Sequence, residues 1–285
     1  MEKLFAVTAP GLEPYTAQEL RDLGMLDDSI QPRSSVVSGG IEFQGDLEII
    51  YRANLHLRTA SRVLLRFGKF HAAAFSELDK RARRLPWERF LAPGQPVAVR
   101  ATCRKSRLYH STAVADVIVK VIGERLGKTI VQHKFDENAD GPLPQLVLVR
   151  LANDQCTLSI DTSGALLHRR GYRLETAKAP LRETLAAGLL FASGWDAQSP
   201  LIDPFCGSGT IPIEAAMLAC CIAPGCARRF AFMDWPGFRS ETWQKILDES
   251  QMALQTVVPP IQASDRDAGA IKIARANAER AGVSQ

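Results

Sequence analysis

The sequence predicts an α/β protein in which a first region of mixed strands and helices precedes a Rossmann-like sheet. Two strand–helix repeats carry this prediction: strands at 201–204 and 260–264 are followed by helices at 211–221 and 268–281. Each strand has an aspartate at its carboxyl end, and successive units of this kind form a parallel sheet. The strands of the first region end near 161–175, which predicts a domain boundary there. Since no Gly/Ser linker follows, we expect the two domains to pack closely.

The first region shows alternating short strands and helices. Strands are predicted at 3–8, 36–37, 40–43, 97–102, 146–151 and 156–160, and helices at 12–23, 46–67 and 111–125. The helix at 46–67 would place Arg58, Arg62 and Arg66 on one face, opposite an apolar side, and we interpret this stripe as a solvated surface. One further helix is expected to begin near Ala179-Pro180, and another to span 241–256.

The most informative motif is the run Asp203-Pro204-Phe205-Cys206-Gly207-Ser208-Gly209-Thr210, which lies between a strand and a helix. An acidic residue at a strand end, a glycine-rich turn and a helix start are typical of sites for nucleoside-bearing cofactors. The two glycines let the backbone approach the ligand, where a Cβ would clash. A dinucleotide motif needs a third glycine at position 212, where this chain has Pro212.

Asp265 follows the second strand, where a carboxylate can accept both ribose hydroxyls. The alternative for Asp265 and Asp267 is capping of the next helix, and the two roles are compatible. The gap from Asp203 to Asp265 is roughly sixty residues, whereas nicotinamide enzymes place their acid about 20 residues after the glycines. This spacing argues against a nicotinamide-dependent oxidoreductase. We interpret Cys206 as a small filler rather than a nucleophile.

Basic residues concentrate between Arg52 and Arg107, where fourteen Lys/Arg accompany three acids, a local net charge of +11 in a chain of net charge +4. A localised basic face is what a polyanionic partner requires. Within it, a strand-to-helix loop combines cations with two rings, and helix N-termini attract phosphates. We therefore predict RNA contacts at Arg100, Arg104, Lys105, Arg107, Tyr109 and His110. The alternative is a merely solvated loop.

Composition disfavours several other classes of protein. The most apolar stretch, 211–223, contains Pro212 and Glu214 and is too short to span a bilayer. The N-terminus lacks a basic region followed by an apolar core, so we expect no secretion signal, no membrane partner and a cytoplasmic location. Six cysteines in 285 residues are not a disulfide framework. Cys220, Cys221 and Cys226 lack zinc-site spacing, so we expect no metal.

Several runs together resemble the bacterial THUMP-containing class I RNA methyltransferases. Within these, the chain is most similar to the N-terminal methyltransferase half of the large-subunit ribosomal RNA guanine-N2 methyltransferases. The matching runs are 4–13, 160–173, 179–187, 203–216, 263–267 and 274–281. The resemblance implies a ferredoxin-like segment at 1–44, a THUMP RNA-binding domain at 45–161 and a methyltransferase domain at 162–285. The implied fold is therefore a ferredoxin-like/THUMP α+β region followed by an incomplete Rossmann-like methyltransferase sheet.

The resemblance also implies S-adenosylmethionine (SAM) as the cofactor. The residues implied to bind it are Asp203, Pro204, Phe205, Gly207, Ser208, Gly209, Thr210, Asp265 and Arg266. Asp203 would accept from the methionine ammonium group, and the glycines would let the backbone approach it. The implied activity is guanine-N2 methylation of 23S ribosomal RNA. Guanine-N2 methylation of transfer RNA and a non-catalytic RNA-binding role are the alternatives.

One departure from the family pattern concerns catalysis. The family uses an Asn-Pro-Pro-Tyr-type loop after its fourth strand to hold the extruded base. No such motif occurs in the 285 residues, and Pro259-Pro260 is preceded by Val257-Val258. We therefore expect a C-terminally truncated chain that is inactive by itself, and we assign no catalytic residue.

Overall fold

The structure, a computed structural model, describes residues 1–26, 36–37, 39–137, 141–173 and 181–284. The strands are β1 Glu2–Thr8, β2 Val36–Val37, β3 Gly40–Gly45, β4 Ala60–His71, β5 Val97–Arg104, β6 Gln145–Ala152, β7 Gln155–Asp161, β8 Leu201–Asp203 and β9 Ile261–Ala263. The helices are α1 Glu13–Asp22, α2 Leu47–His56, α3 Phe75–Ala82, α4 Ser111–Arg125, α5 Glu183–Ala192, α6 Thr210–Ala219, α7 Ser240–Met252 and α8 Ala268–Arg280.

A seven-stranded sheet with the order β2-β3-β1-β4-β7-β6-β5 organises the first region. Its pairs are antiparallel except β5 with β6, which is parallel. The sheet is continuous from the predicted ferredoxin-like segment into the predicted THUMP domain. Strand β4, twelve residues long, joins the two halves because it pairs with β1 on one side and β7 on the other.

One face of this sheet forms the main core. Alternate strand residues such as Leu4, Leu65, Val147 and Ile160 are at most 1% exposed and belong to one apolar cluster with residues of α1, α2, α3 and α4. The strand period of two explains the pattern, since successive side chains face opposite sides of the sheet. The helices therefore cover one face of the sheet. Part of the other face is also buried, as at Phe5 and Leu64, and part of it is exposed.

The predicted helix at 46–67 is wrong in its second half. Helix α2 ends at His56. The backbone is extended at Leu57 (φ −65°, ψ 124°), and β4 begins at Ala60. Residues four apart share a side of a helix, but they also share a face of a strand, so the arginine spacing cannot separate the two. Arg62 and Arg66 lie on β4.

The solvated arginine stripe is also wrong, because these side chains are engaged within the protein. Arg58 is 8% exposed and Arg62 is 5% exposed. Arg62 forms an ion pair with the fully buried Asp161, and Arg66 pairs with Glu42. Buried cations of this kind need partners, which the neighbouring strands supply.

The parallel strand–helix repeats are confirmed. Strands β8 and β9 pair in parallel, with Asp203 opposite Ala263, and each is followed directly by its helix, α6 or α8. Helix α5 begins at Glu183, and Ala179-Pro180 lie outside the described residues.

The segment before and within α7 packs on the first region. Tyr51 of α2 is fully buried, stacks on Phe232 at 4.5 Å between ring centroids and meets the Trp243 ring at 5.9 Å. The Arg239 backbone N–H donates to the Tyr51 hydroxyl at 3.0 Å. These aromatic residues belong to the same apolar cluster as the large sheet, so both regions of the chain share a core.

Candidate cofactor site and nucleic-acid interface

The glycine-rich loop turns through two left-handed residues. Gly207 has φ +53° and Gly209 has φ +83°, conformations that glycine adopts without the Cβ penalty. Gly209 is the N-cap residue of α6, and its N–H donates to the Cys206 carbonyl at 2.8 Å. A Cβ on Gly209 would lie 3.0 Å from the Ala274 Cβ of α8, whereas a Cβ on Gly207 would meet no atom within 4 Å. The loop therefore packs tightly at Gly209 and leaves open space at Gly207.

Asp265 joins the two strand ends. Its Oδ2 accepts from the Gly207 N–H at 2.9 Å, and its Oδ1 accepts from the Asp267 N–H at 2.9 Å. These backbone donors stabilise the charged form and lower the pKa of Asp265. Asp267 caps α8, where its Oδ1 accepts from the Gly269 N–H at 2.8 Å. Asp267 therefore caps α8, whereas Asp265 bonds the glycine-rich loop. Each Asp265 oxygen keeps a second acceptor position free for a ligand.

The other predicted cofactor residues fall into two groups. Asp203 is half-buried at the end of β8, and its Oδ1 accepts from the Phe205 N–H at 3.1 Å. The Phe205 side chain is 86% exposed, and Pro204 and Arg266 are also exposed. Ser208 and Thr210 are buried, at 6% and 5% exposed. The structure thus places Asp203, the two glycines and Asp265 at the ends of β8 and β9, and Ser208 and Thr210 support them.

Two supporting residues were missed by the sequence reasoning. Arg173 donates to the Thr210 hydroxyl and, at 3.0 Å, to the Leu181 carbonyl. The Asn277 amide of α8 donates to the Ser208 carbonyl at 3.1 Å. The partners are 37 and 69 residues apart, so no local periodicity could indicate them. Arg173 does lie in one of the runs that carry the family resemblance, but the run itself does not show its partner.

A buried ionic network links the loop helix α6 to the first region. Arg170 donates to the Arg58 carbonyl at 2.6 Å, and its Nε lies 3.4 Å from Glu214 Oε1. The Tyr172 hydroxyl donates to Glu214 at 3.2 Å, and Arg58 donates to the Ile222 carbonyl at 2.7 Å. Burial, followed by the charge of Glu214, raises the pKa of Tyr172, so its hydroxyl keeps its proton. The helix behind the loop is therefore held against the large sheet.

Cys206 has the environment of an unreactive thiol. It is 8% exposed, and burial, together with the charges of Asp203 and Asp265, raises its pKa. This favours the interpretation that it fills space. Among the described residues, no group of three or more His, Cys, Asp or Glu side chains could hold a metal ion.

Five of the six predicted RNA contacts lie together at the carboxyl end of β5. Arg104, Lys105, Arg107, Tyr109 and His110 are exposed, and the Tyr109 and His110 rings meet at 4.1 Å between centroids. The loop is fixed by Asp154, whose Oδ1 accepts from the Arg107 N–H at 2.7 Å. His110 is the N-cap residue of α4 but forms no side-chain cap, so first-turn amides remain available.

Arg100, the sixth predicted RNA contact, lies on β5 away from that loop. Its Nη1 donates to Glu137 Oε1 at 2.8 Å, and its guanidinium lies 5.1 Å from the Phe135 ring centroid. Glu137 therefore neutralises part of its charge.

A glycine loop and an acid bridging the carboxyl ends of two parallel strands define a nucleoside-binding α/β protein, here with a mixed sheet attached. Comparison with known families identifies three segments. Residues 3–64 match the RlmL ferredoxin-like domain, residues 72–161 the THUMP domain and residues 170–285 the RMKL-like methyltransferase domain. The chain belongs to the family of THUMP-containing RNA methyltransferases.

Individual relatives agree with this assignment. The chain is 39% identical over 295 residues to the ribosomal RNA large subunit methyltransferase K/L of Magnetococcus marinus, covering 99% of this chain and 39% of that protein. It is 36% identical over 281 residues to YpsC of Bacillus subtilis, which bears the name of an RNA methyltransferase, covering 98% of this chain and 71% of YpsC. The chain thus spans about two fifths of the K/L relatives and most of YpsC.

Solved structures show the same fold. A Listeria monocytogenes protein titled a predicted N6-adenine-specific DNA methylase matches with a TM-score of 0.87 and 36% identity, over 100% of this chain and 73% of that one. SMU.472, a methyltransferase complexed with SAH, matches with a TM-score of 0.83 and 32% identity, over 99% of this chain and 73% of that one. No helix in the described parts of the chain is long and apolar enough to cross a membrane.

Proposed function

We propose that this chain supplies the SAM-binding and RNA-binding parts of an RNA methyltransferase. The observation that supports this most directly is the bridge from the Gly207 N–H to Asp265 at 2.9 Å, which joins the glycine loop to the neighbouring strand end. The SMU.472 relative, which is complexed with SAH, supports the choice of cofactor. Open space beside Gly207 fits a ligand that passes close to the backbone.

The residues have distinct proposed roles in holding the cofactor. Asp203 accepts from the methionine ammonium group, and the backbone at Gly207 and Gly209 lies along the methionine end. Asp265 accepts the ribose hydroxyls with its free acceptor positions. SAM supplies a methyl group on a sulfonium that is already an activated leaving group. The protein's contribution is therefore close placement of donor and acceptor rather than acid–base chemistry.

For the substrate, we propose 23S ribosomal RNA methylated at guanine N2. The names of the K/L relatives support ribosomal RNA, and the exposed cations and rings at 104–110 support contact with a polynucleotide. Transfer RNA remains the alternative acceptor.

A binding experiment tests the cofactor. Calorimetric titration with SAM and, separately, with NAD should show binding of SAM only. Asp265→Asn should weaken SAM binding about tenfold or more, because the carboxylate is a charged acceptor. Asp267→Asn is the matched control, since asparagine is an equally good N-cap, and it should leave the affinity unchanged. Binding of NAD without SAM would contradict the proposal.

A transfer experiment tests the substrate. Labelled methyl incorporation from SAM is measured with unmodified 23S ribosomal RNA, with transfer RNA and with double-stranded DNA. Both the 285-residue chain and a version extended beyond residue 285 are assayed, which also tests the predicted inactivity of the chain by itself. We expect incorporation into ribosomal RNA by the extended version. Incorporation into DNA alone would overturn the RNA assignment.

A further inference from the structure

The face of the seven-stranded sheet opposite the helices, here termed the open face, carries a set of aligned cations. The strand register defines its members. Arg66 of β4 lies between Lys3 of β1 and Ser159 of β7. Two residue pairs further along, Lys69 of β4 opposes Thr157 of β7, which opposes Arg150 of β6. A period of two alone would place Arg66 and Lys69, three residues apart, on opposite faces. The register shift between Arg66 and Gly68 adds one residue to β4 and brings Lys69 onto the face of Arg66, so these residues share a face.

The open face continues into the basic loop at 104–110. Arg150 is the partner of Thr102 on the edge strand β5, and Arg104 lies two residues further on that strand. Arg104 is the last residue of β5 and the first of the loop that bears Tyr109 and His110. The predicted RNA contacts are therefore one end of a longer surface that crosses five strands, from β5 to β1.

Most cations on the open face lack a counter-charge. Lys3, Lys69, Arg104 and Arg150 are exposed, and no acid in the described ranges forms an ion pair with any of them. Arg66 has Glu42 as its partner. Acidic side chains are thus scarce on this face, and its net charge is positive. Stability alone does not favour such an arrangement, since like charges on neighbouring strands repel each other.

The environment of Arg66 shows the repulsion between these positive charges. Its guanidinium lies 3.9 Å from the centroid of the Phe5 ring, and its side chain is 17% exposed. Burial lowers its pKa, Glu42 raises it and the positive charge of Arg150 lowers it further. Arg150 and Arg66 therefore lie close enough to repel each other. A polyanion bound across both would offset this cost.

The spacing suits a polynucleotide. Strands lie about 4.8 Å apart and residues of one face about 7 Å apart along a strand, so Lys69, Arg150 and Arg104 are separated by about 7–10 Å. This corresponds to two or three nucleotides at about 3.4 Å each. A cleft of about 800 Å³ lies at the far end of this surface. Three cations, Lys3, Arg66 and Lys69, and two acids, Glu2 and Glu42, are among the residues that line it.

We propose that the open face binds the RNA phosphate backbone through Arg104, Arg150 and Lys69, toward Lys3. This inference rests on the proposed RNA methyltransferase function and adds contacts that lie outside the loop at 104–110. The competing basic surface is the end of α3 and the turn after it, here termed the α3 end, where Lys80 and Arg84 are exposed on the helical side of the sheet. Acids close to α3, among them Glu77 and Asp79, reduce its positive potential.

Charge-reversal variants of the full chain test the site. Affinity for a fluorescent single-stranded oligoribonucleotide is measured by anisotropy at several salt concentrations. Lys69→Glu with Arg150→Glu should raise the dissociation constant at least about tenfold and reduce the slope of log K against log salt by about 1.4, for two lost contacts. Lys80→Glu with Arg84→Glu introduces the same charge change at the α3 end and should have the smaller effect. Lys69→Arg with Arg150→Lys should bind like the wild type.

The outcomes separate this proposal from the proposed function. Equal weakening by both charge reversals, or greater weakening by the α3 variant, would overturn the open-face site while leaving RNA binding intact. Absence of RNA binding by the wild type, measured beside intact SAM binding, would contradict the RNA substrate itself. Displacement of the oligonucleotide by phosphatidylserine vesicles through Lys69 and Arg150 would assign the face to a membrane surface. Unchanged SAM affinity in every variant shows that the chain remains folded.

Discussion

Gly207 and Gly209 carry the glycine-rich loop through the same left-handed region of backbone conformation, but their surroundings differ. Gly209 packs against α8, where a Cβ would lie 3.0 Å from the Ala274 Cβ, and Gly207 faces open space. One glycine is therefore required by packing within the protein, and the other leaves open space beside the backbone for the proposed ligand. Asp265 completes the arrangement because its carboxylate fixes the Gly207 N–H.

The packing role of Gly209 gives a prediction about stability. Gly209→Ala should lower the free energy of unfolding by about 2–3 kcal/mol, from left-handed strain of about 1–2 kcal/mol together with the Ala274 contact. Gly194→Ala is the matched control, because Gly194 has φ +71° and a Cβ there would meet no atom within 4 Å, so it should show the strain alone. Urea denaturation measures both losses, and equal losses would contradict the packing argument.

Two half-buried histidines give a prediction about pH. Burial, followed by nearby arginine charges, lowers the pKa of His56 and of His168 to about 4. In the unfolded chain each should titrate near 6.5, so between about pH 6.5 and pH 4 the unfolded state binds protons that the native state does not. Stability is therefore greatest above pH 6.5 and falls as the pH drops to 4, on the order of 2 kcal/mol for His56 alone.

Denaturation of His56→Gln with His168→Gln across this pH range measures the effect. The double variant should have a flatter profile than the wild type. A profile of unchanged slope would show that the two side chains are protonated in the native state as readily as in the unfolded chain.

At the scale of elements, β4 has a role that its sequence pattern obscured. It is the strand on which both halves of the large sheet pair, and it places Arg66 and Lys69 on the open face. Helix α6 has the matching role in the second region. It begins at the glycine loop and carries Glu214, whose side chain is fully buried beside Arg170. The position of the loop relative to the sheet therefore depends on a pair of buried charges.

The Arg170–Glu214 pair gives a prediction that a double-mutant cycle can test. Glu214→Met should cost about 3–5 kcal/mol of unfolding free energy, because it leaves the Arg170 charge buried and without its counter-charge. Arg170→Met with Glu214→Met should cost clearly less than the sum of the two single changes, since no charge of the pair remains uncompensated. Urea denaturation of the four proteins gives the coupling. Additive losses would show that the pair does not interact.

At the scale of the whole molecule, the two regions share one core. Residues on both sides of the predicted boundary at 161/162 enter the same apolar cluster, and Tyr51 is surrounded by Phe232, Phe238 and Trp243 of the second region. The loop helix α6 packs in a separate small cluster with Tyr172, and the buried Arg170–Glu214 pair connects it to this core. The domain limits at 44/45 and 161/162 stay predictions.

The shared core predicts cooperative unfolding. Calorimetry should show one transition, and Tyr51→Ala should shift it as a whole, with a loss of about 3–5 kcal/mol. Tyr51→Phe keeps the ring and removes the bond to the Arg239 N–H, so it should cost about 1 kcal/mol. Two separate transitions, with only the earlier one moved by Tyr51→Ala, would contradict a common core.

The sequence by itself determined the local features of this protein. The strand–helix order, the glycines at 207 and 209 and the acids at 203 and 265 are read from residues that act within a few positions of each other. Only the tertiary structure decided that Arg62 and Arg66 belong to a strand, that Arg173 and Asn277 support the loop, and that Lys69 and Arg150 share a face with Arg104. Their partners lie tens of residues away, and burial, rather than any local period, selects which of these contacts form.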